Sequence, residues 1–406
     1  MAFRRLAIIL SLKRTWLSHR CGRQRKNMPG VGIVKPRSLL DYHSILSPSA
    51  GVRVSPLCLG AMNFGRHGKR SANVYQGEES EEWLGEWMGS RKNRDQLVIA
   101  TKYTSCYPSG KGGEYIKSNF QGNDLKSMYL SLEASLKKLQ TSYVDVVNYG
   151  VDNAVTFLKI IMISHGKSST STGGIFPSIP ELMQSLNRTI DAGKVLYLGI
   201  SDTPAWVVAK ANEYARSHGL TQFSIYQGRW SASVRDFERD ILPMCESEGM
   251  ALAPWGTLGQ GNFKSADERQ SAEGRKGRPP TEKDIRVSEK LEEIATEEGT
   301  TITSVALAYV MHKALYVYPI VGCRKLEHLK DNIEALSVEL TDEDLEEIES
   351  AYPFDVGFPM RMLFGLHDPG YYRSRMTTKD VSLVKSSVRL ETPEKVRPIR
   401  RYKLED

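Results

Sequence analysis

Two side chains in this sequence, Tyr75 and Lys102, could together move a proton. A phenol has a reference pKa of about 10, so as a general acid at neutral pH it benefits from a neighbouring cation that makes its proton easier to release. Lys102 ends the apolar run LVIATK, which predicts a strand, so its ammonium is expected at the carboxyl end of that strand. Taken singly, each residue is more simply an ordinary surface side chain.

Two further segments could bind a phosphate. GTLGQG (Gly256 to Gly261) follows a predicted strand, and backbone amides in such a loop can cradle an anion. The charged stretch NFKSADERQ follows it instead of an apolar helix, so the loop does not match the dinucleotide fingerprint of the Rossmann fold. Arg324 and Lys325 follow another predicted strand, and this pair suits a phosphomonoester, although a solvated helix start is the simpler explanation of the pair taken alone.

The elements that would position these residues alternate in type along the chain. Short β-branched or apolar runs are each followed by an amphipathic stretch of helical period, which is typical of βαβ units around a parallel sheet. Seven strands are predicted, over Val52–Leu59, Leu97–Thr101, Tyr143–Val147, Val195–Ile200, Gln222–Tyr226, Met250–Pro254 and Val317–Val321. One helix is predicted to start at Thr203-Pro204 and to end before Gly219. A second is predicted from the apolar face Leu182, Leu186 and Ile190, with its end at Gly193. Two further helix starts are predicted from capping-box spacings, Ser233 with Asp236 and Thr341 with Asp344.

The rhythm predicts an α/β fold, a (β/α)8 TIM barrel, in which one unit is incomplete. Between Leu59 and the helical run near Glu78 there are too few residues for a helix and another strand, so we expect the first helix and second strand to be lacking or distorted. The stretch from 150 to 178 is an anomalous insertion where a short loop is expected. The predicted organisation is a basic extension over 1–40, the barrel over 41–360 and a C-terminal tail over 361–406.

Composition and charge exclude several classes of protein. With 406 residues, 40% of them hydrophobic and 25% charged, the chain is globular, and no apolar run approaches the roughly 20 residues of a membrane-spanning helix. The formal charge of +7 comes from the residues before Met28, which include eight basic residues and no acidic one. The remaining residues include 47 Lys and Arg and 48 Asp and Glu, so their net charge is −1. A nucleic-acid surface is therefore not predicted.

The basic opening and the cysteines bear on location. An Arg-rich start without acidic residues is typical of a mitochondrial presequence. The alternative is that translation starts at Met28 or that the first residues form a disordered extension, and neither requires a presequence. A role of this basic start and of Lys395–Lys403 in binding another molecule is a further alternative, but flexible tails explain both segments more simply. Five widely spaced cysteines, with no C-x-x-C, predict no disulfide framework and no metal site, and they favour a reducing compartment such as the cytoplasm.

A family resemblance joins these features. Seven segments occur in order: SPLCLGAMNFG, ANVYQGEESEEWLGEWM, NRDQLVIATKYT, GKVLYLGISD, QGRW, APWGTLGQG and IVGCRKLEHLKDNIEAL. Together they resemble the aldo-keto reductases, and within them the fungal aryl-alcohol dehydrogenase and norsolorinic acid reductase branch, from about Tyr42 to about Pro359. The resemblance implies a barrel that uses NADPH, without a metal, to reduce a small aldehyde or ketone or to oxidise the alcohol, in secondary metabolism.

The resemblance also implies a role for each matching residue. Tyr75 would be the proton donor and Lys102 the lysine that activates it. Ser201, Asp202 and Gln227 would contact the nicotinamide carboxamide, and Trp255 would stack under the ring. The pyrophosphate would follow Gly256, Thr257, Leu258, Gly259, Gln260, Gly261, Asn262, Phe263 and Lys264. The adenosine end with its 2′-phosphate would be held by Gly322, Arg324, Lys325, His328 and Asn332.

Two of the family's four catalytic positions are not matched. Arg70 stands five residues before the tyrosine, where the family has aspartate, and Gly150 stands where it has histidine; His165 lies out of register in the insertion. The alternative to an active reductase is therefore an impaired homologue that binds NADPH, or a mis-spliced product with an exon deleted at Gly65 and an intron retained after Val147. Neither the particular substrate nor the oligomeric state follows from the sequence.

Overall fold

A computed structural model of the protein describes residues 36–64, 78–105, 116, 118–120, 122–150, 178–270, 279–323, 325–366 and 378–391. The strands are β1 (Ser44–Ser47), β2 (Ala50–Val54), β3 (Cys58–Leu59), β4 (Ala100–Lys102), β5 (Val144–Gly150), β6 (Val195–Ser201), β7 (Phe223–Arg229), β8 (Ala251–Trp255) and β9 (Ile320–Val321). The α-helices are α1 (Glu79–Arg91), α2 (Leu125–Leu139), α3 (Ile179–Asp191), α4 (Ala205–Ser217), α5 (Ile241–Glu248), α6 (Ala266–Gln270), α7 (Glu282–Glu297), α8 (Ile302–Lys313), α9 (Leu326–Glu334), α10 (Asp342–Ser350), α11 (Met360–Leu363) and α12 (Ser382–Ser387).

Parallel strands form the framework. β4 to β8 make one sheet in chain order, and β9 pairs in parallel with β3. The two groups meet at β8, where the Leu252 amide donates to the carbonyl oxygen of Tyr316 at 2.9 Å and the Tyr318 amide donates to that of Leu252 at 2.8 Å. Seven strands thus follow one another, and in the described part of the chain no strand joins β3 to β4. The predicted α/β fold is confirmed, with the irregularity on the side where the sequence lacks residues.

An antiparallel hairpin, which the sequence did not predict, precedes the barrel strands. β1 and β2 pair with each other, and Leu46 and Ala50 are buried against Ala251 and Tyr318. The predicted single strand Val52–Leu59 was therefore wrong in its extent, because its first residues belong to the hairpin and only its last two to β3. Pro56 lies between the two parts, and a proline has no backbone N–H for a sheet.

Helices cover the outer face of the sheet with the apolar stripes expected of them. In α3, Leu182 and Leu186 are buried in the main hydrophobic core, and Ile190 packs against it. The Ser178 hydroxyl accepts a hydrogen bond from the Glu181 amide at the start of this helix, and Gly193 follows its end with a φ of 66°. This helix and its C-terminal glycine are confirmed.

The predicted helix starts divide into one confirmed capping box and two errors. Thr341 and Asp344 form both halves of a capping box on α10. Ser233 does not cap the following turn, because its hydroxyl instead donates to Asp284 at 2.8 Å. Thr203 also does not cap α4, since its hydroxyl donates to the carbonyl oxygen of Ser201 at 2.9 Å. In both errors a tertiary or turn contact competes successfully for the hydroxyl.

Four buried charges tie the segment after β7 to α8 and α10. Arg235 contacts Glu238 at 2.8 Å and Glu349 at 3.0 Å, and Lys313 contacts Glu238 at 3.2 Å and also pairs with Glu349. Burial alone would raise the pKa of Glu238, but the Lys313 and Arg235 charges outweigh it and lower that pKa to about 2. The cluster is neutral as a whole, which is what makes its burial tolerable.

In the described residues no helix is both long and apolar enough to cross a membrane.

Candidate active site

The predicted chemistry-bearing residues gather where the barrel strands end. Lys102 is the last residue of β4, Ser201 of β6 and Trp255 of β8. Ser201 lies opposite Gly150 on one side and Gln227 on the other in the parallel register. Register partners in a parallel sheet project to the same face, so these positions share one face of the sheet at its carboxyl end.

Four of the predicted residues form one hydrogen-bonded chain. Lys102 Nζ donates to Ser201 Oγ at 3.3 Å, and Ser201 Oγ donates to Asp202 Oδ2 at 3.0 Å. Trp255 Nε1 donates to the other carboxylate oxygen, Oδ1, at 3.1 Å. Ser201 is fully buried, so the chain links a cation, a shielded hydroxyl, a carboxylate and an indole ring.

The backbone at Asp202 is held in an unusual conformation. Its φ of 50° lies in the left-handed region, which aspartate tolerates better than most residues. The Asp202 amide donates to the carbonyl oxygen of Gln227 at 2.9 Å, so the end of β7 holds this turn. The carboxylate is therefore aimed by the sheet itself.

The glycine-rich loop after β8 is shaped by positive φ angles and tied to α7. Gly256 and Gly259 have φ values of 74° and 60°, and a Cβ on Gly259 would come within 2.9 Å of the Phe263 ring. The Lys264 amide donates to Ser288 Oγ at 2.8 Å, and the same hydroxyl donates to the Lys264 carbonyl oxygen at 2.7 Å. The loop from Gly256 to Lys264 is thus a backbone cradle held open by glycines and fastened at its far end.

The third predicted group lies on β9 and α9. Gly322 follows β9 and Lys325 is the residue before α9; His328 is exposed one turn later. Asn332 is buried, and its Nδ2 has no hydrogen-bond partner in the described chain. A buried amide donor without a partner, on the helix that begins after the exposed Lys325, suits a polar or anionic ligand such as a nucleotide.

Other predicted residues lie outside the described part of the chain. These are Tyr75, Arg70, Arg324 and His165. The contact between tyrosine and lysine accordingly stays a prediction.

Two residues of β5, Gly150 and Asn148, face the candidate site. Among the described residues, a Cβ on Gly150 would meet only the Ser201 Cβ, at 3.7 Å, so these residues leave room for a side chain there. Asn148 lies opposite Lys102 and is buried, and its Oδ1 has no hydrogen-bond partner within the described residues. We missed Asn148 because the predicted strand ended at Val147; continuing the alternation of faces past that residue would have placed it inside.

The described residues hold no group of three or more His, Cys, Asp or Glu side chains able to bind a metal ion.

Comparison with known proteins identifies the family of the chain. The aldo/keto reductase family matches residues 70–353, and the chain belongs to that family of oxidoreductases. It is 51% identical to norsolorinic acid reductase A of Aspergillus parasiticus, over 90% of this chain and 95% of the relative. It is 48% identical to an aryl-alcohol dehydrogenase of Pestalotiopsis microspora, over 81% and 86%, and 44% identical to a putative aryl-alcohol dehydrogenase of Saccharomyces cerevisiae, over 82% and 92%.

Proposed function

We propose that this protein reduces an aldehyde or ketone with NADPH, or runs the reverse alcohol oxidation. The observation that carries the proposal is the hydrogen-bonded chain from Lys102 through Ser201 and Asp202 to Trp255, at the strand ends of a family-typical α/β framework. This chain joins a cation, a hydroxyl, a carboxylate and an indole ring at the strand ends, which supports a site that orients a nicotinamide ring for hydride transfer.

The cofactor would lie across the strand ends in three parts. Ser201, Asp202 and Gln227 would hold the carboxamide, and Trp255 would stack on the ring and fix which face is offered. The loop from Gly256 to Lys264 would follow the pyrophosphate. Asn332, His328, Lys325, Gly322 and Arg324 would hold the adenosine end with its 2′-phosphate, for which two cations favour NADPH over NADH. When bound, NADPH supplies the hydride.

The protein side of the reaction is a proton transfer. Tyr75 would donate its phenolic proton to the carbonyl oxygen as the alcohol forms. Lys102 would make that proton easier to release, because a nearby ammonium stabilises the phenolate left behind. In the reverse direction the same phenolate accepts the alcohol proton.

The substrate class is drawn from the relatives. Their names refer to norsolorinic acid and to aryl alcohols, so we propose an aromatic carbonyl compound, in the secondary metabolism of a fungus. We place the reaction in the cytoplasm, a reducing compartment that suits the unpaired cysteines Cys58, Cys245 and Cys323.

A panel of aryl aldehydes and ketones, with loss of NADPH absorbance as the readout, tests the proposal. We expect turnover with at least one aryl carbonyl, and we expect Tyr75→Phe to lose it while binding NADPH as before. Tyr129→Phe is the matched control, since Tyr129 is an exposed tyrosine on α2. Unchanged activity in Tyr75→Phe would refute the assigned proton donor.

A second candidate is a protein that binds NADPH without turning over a carbonyl. The specific observation in its favour is Gly150, which leaves the interior position without a side chain where the family has histidine. Tight NADPH binding with no turnover on any carbonyl of the panel would select this candidate over the first.

A further inference from the structure

We infer that Asp202 acts as the counter-charge that positions Lys102, through the Ser201 hydroxyl, and that it thereby supplies a carboxylate to a site in which Arg70 stands where the family has aspartate. The inference rests on the proposed function, because it assigns Lys102 its part in proton transfer. It goes beyond that function in giving Asp202 a role that contact with a carboxamide does not require.

The first argument is the direction of the hydrogen bonds. A serine hydroxyl has one hydrogen, and Ser201 gives it to Asp202 Oδ2 at 3.0 Å. The Ser201 oxygen is then left to accept from the Lys102 ammonium, which it does at 3.3 Å. Donating to the carboxylate makes the Ser201 oxygen more negative, so its hydrogen bond with the Lys102 ammonium becomes stronger.

The second argument is distance and shielding. Because the two bonds, of 3.3 Å and 3.0 Å, share one oxygen atom, Lys102 Nζ and Asp202 Oδ2 can be at most 6.3 Å apart. The serine between them is fully buried, so water does not separate the charges along this path. At that separation two opposite charges near a protein surface interact strongly enough to change an equilibrium by on the order of 10- to 100-fold.

The third argument is the chemistry of the residue type. A carboxamide has a carbonyl oxygen and an NH₂ group, and an asparagine could serve both, whereas an ionised aspartate only accepts hydrogen bonds. Both oxygens of Asp202 already accept from protein donors, Ser201 and the Trp255 indole. An asparagine has one acceptor oxygen for these two donors, so aspartate adds to this position both a second acceptor and a negative charge.

The fourth argument is that the fold fixes the carboxylate. Asp202 holds a left-handed φ of 50°, and its amide is bound to the Gln227 carbonyl oxygen. The Trp255 indole holds the second carboxylate oxygen from β8. A side chain aimed from three directions suits a fixed electrostatic role.

The interaction itself can be tested without cofactor or substrate by a double-mutant cycle on thermal stability. Asp202→Asn is made in the natural protein and in a Lys102→Met background. We expect Asp202→Asn to lower the Tm by about 2 to 4 °C more when the lysine is present. Equal Tm shifts in the two backgrounds would overturn the inference.

Steady-state kinetics test whether the interaction between Asp202 and Lys102 contributes to turnover. We expect Asp202→Asn to lower kcat by on the order of 10- to 100-fold, while the NADPH Kd from fluorescence titration changes less than about threefold. In a Ser201→Ala background, Asp202→Asn should cost no more than about threefold further, because the link is already broken. Asp191→Asn is the matched control, an exposed carboxylate that accepts from Asn187 at the end of α3.

The contrary outcomes are distinct. If Asp202→Asn keeps kcat but weakens NADPH binding, Asp202 serves the carboxamide alone, and the inference is wrong. Independent, multiplying losses from Asp202→Asn and Ser201→Ala would contradict it equally. An unmutated protein that binds no NADPH or turns over no carbonyl refutes the proposed function instead, and the stability cycle still decides whether the charge interaction exists.

Discussion

Placing a histidine at Gly150 should raise activity, which is an unusual expectation for a glycine at the end of a buried strand. Gly150 faces the barrel interior opposite Ser201, on the side where Lys102 lies. A Cβ there would stand 3.7 Å from the Ser201 Cβ, which is ordinary van der Waals contact, and the Gly150 φ is not among the positive values. Gly150→His should therefore fold and should present an imidazole to the bound carbonyl.

The size of the gain follows from what one such donor contributes. A preorganised hydrogen-bond donor on a developing oxyanion is worth about 2 to 4 kcal/mol, which corresponds to roughly 30- to 1000-fold in kcat. The NADPH Kd should stay within about threefold, because the imidazole would approach the substrate side of the site.

The assay is steady-state kinetics on the best substrate of the aryl carbonyl panel, with NADPH binding measured in parallel. Gly150→Ala serves as the matched control: its Cβ fits equally well but donates nothing, so kcat should not rise. The contrary outcome is a Gly150→His variant that folds and binds NADPH yet gives no increase in kcat over Gly150→Ala. In that case position 150 on β5 does not lie next to the bound carbonyl, and the proposed placement of the substrate is wrong.

Three further predictions follow from described contacts. Glu238→Gln should lower the free energy of unfolding at pH 7 by on the order of 3 kcal/mol. Because the pKa of Glu238 is held at about 2, its stabilisation is present above the unfolded pKa of about 4.3 and is lost as the pH falls towards 2. In urea titrations the variant should therefore lose less stability between these two pH values than the natural protein does. Ser288→Ala removes two hydrogen bonds to the Lys264 backbone and should weaken NADPH binding about 5- to 30-fold by titration; an unchanged Kd would mean that the loop is held elsewhere. Burial raises the pKa of the Cys245 thiol, so iodoacetamide should label Cys245 at pH 8 only after unfolding, as read by peptide mass spectrometry.

The framework was predictable because local patterns and the sheet agree. The runs around Ile200 and Leu252 are buried on both faces of parallel strands, so they are recognisable as strands from the sequence. The short strands were harder: β3 is only two residues long, and the hairpin before it packs under the barrel through contacts remote in sequence, such as Leu46 with Ala251. No local signal specifies that packing.

The site was predictable to the extent that its residues end strands. Lys102, Ser201 and Trp255 each close a run of apolar residues, and parallel strands bring such ends together. The bond from the Trp255 indole to Asp202 depends on a left-handed turn after β6 and could not be foreseen. Asn148 was missed for a different reason: the predicted strand ended one residue before it, at Val147, whereas the observed strand continues and brings Asn148 into register with Lys102.

Transfer of a labelled hydride tests the central claim most directly. NADPH carrying deuterium at both C4 positions is incubated with the protein and an aryl carbonyl compound, and the alcohol is analysed by mass spectrometry. We predict one deuterium on the carbinol carbon for each NADPH oxidised. Oxidation of NADPH that leaves no deuterium in the alcohol, or binding of NADPH with no alcohol formed from any carbonyl, would contradict the account.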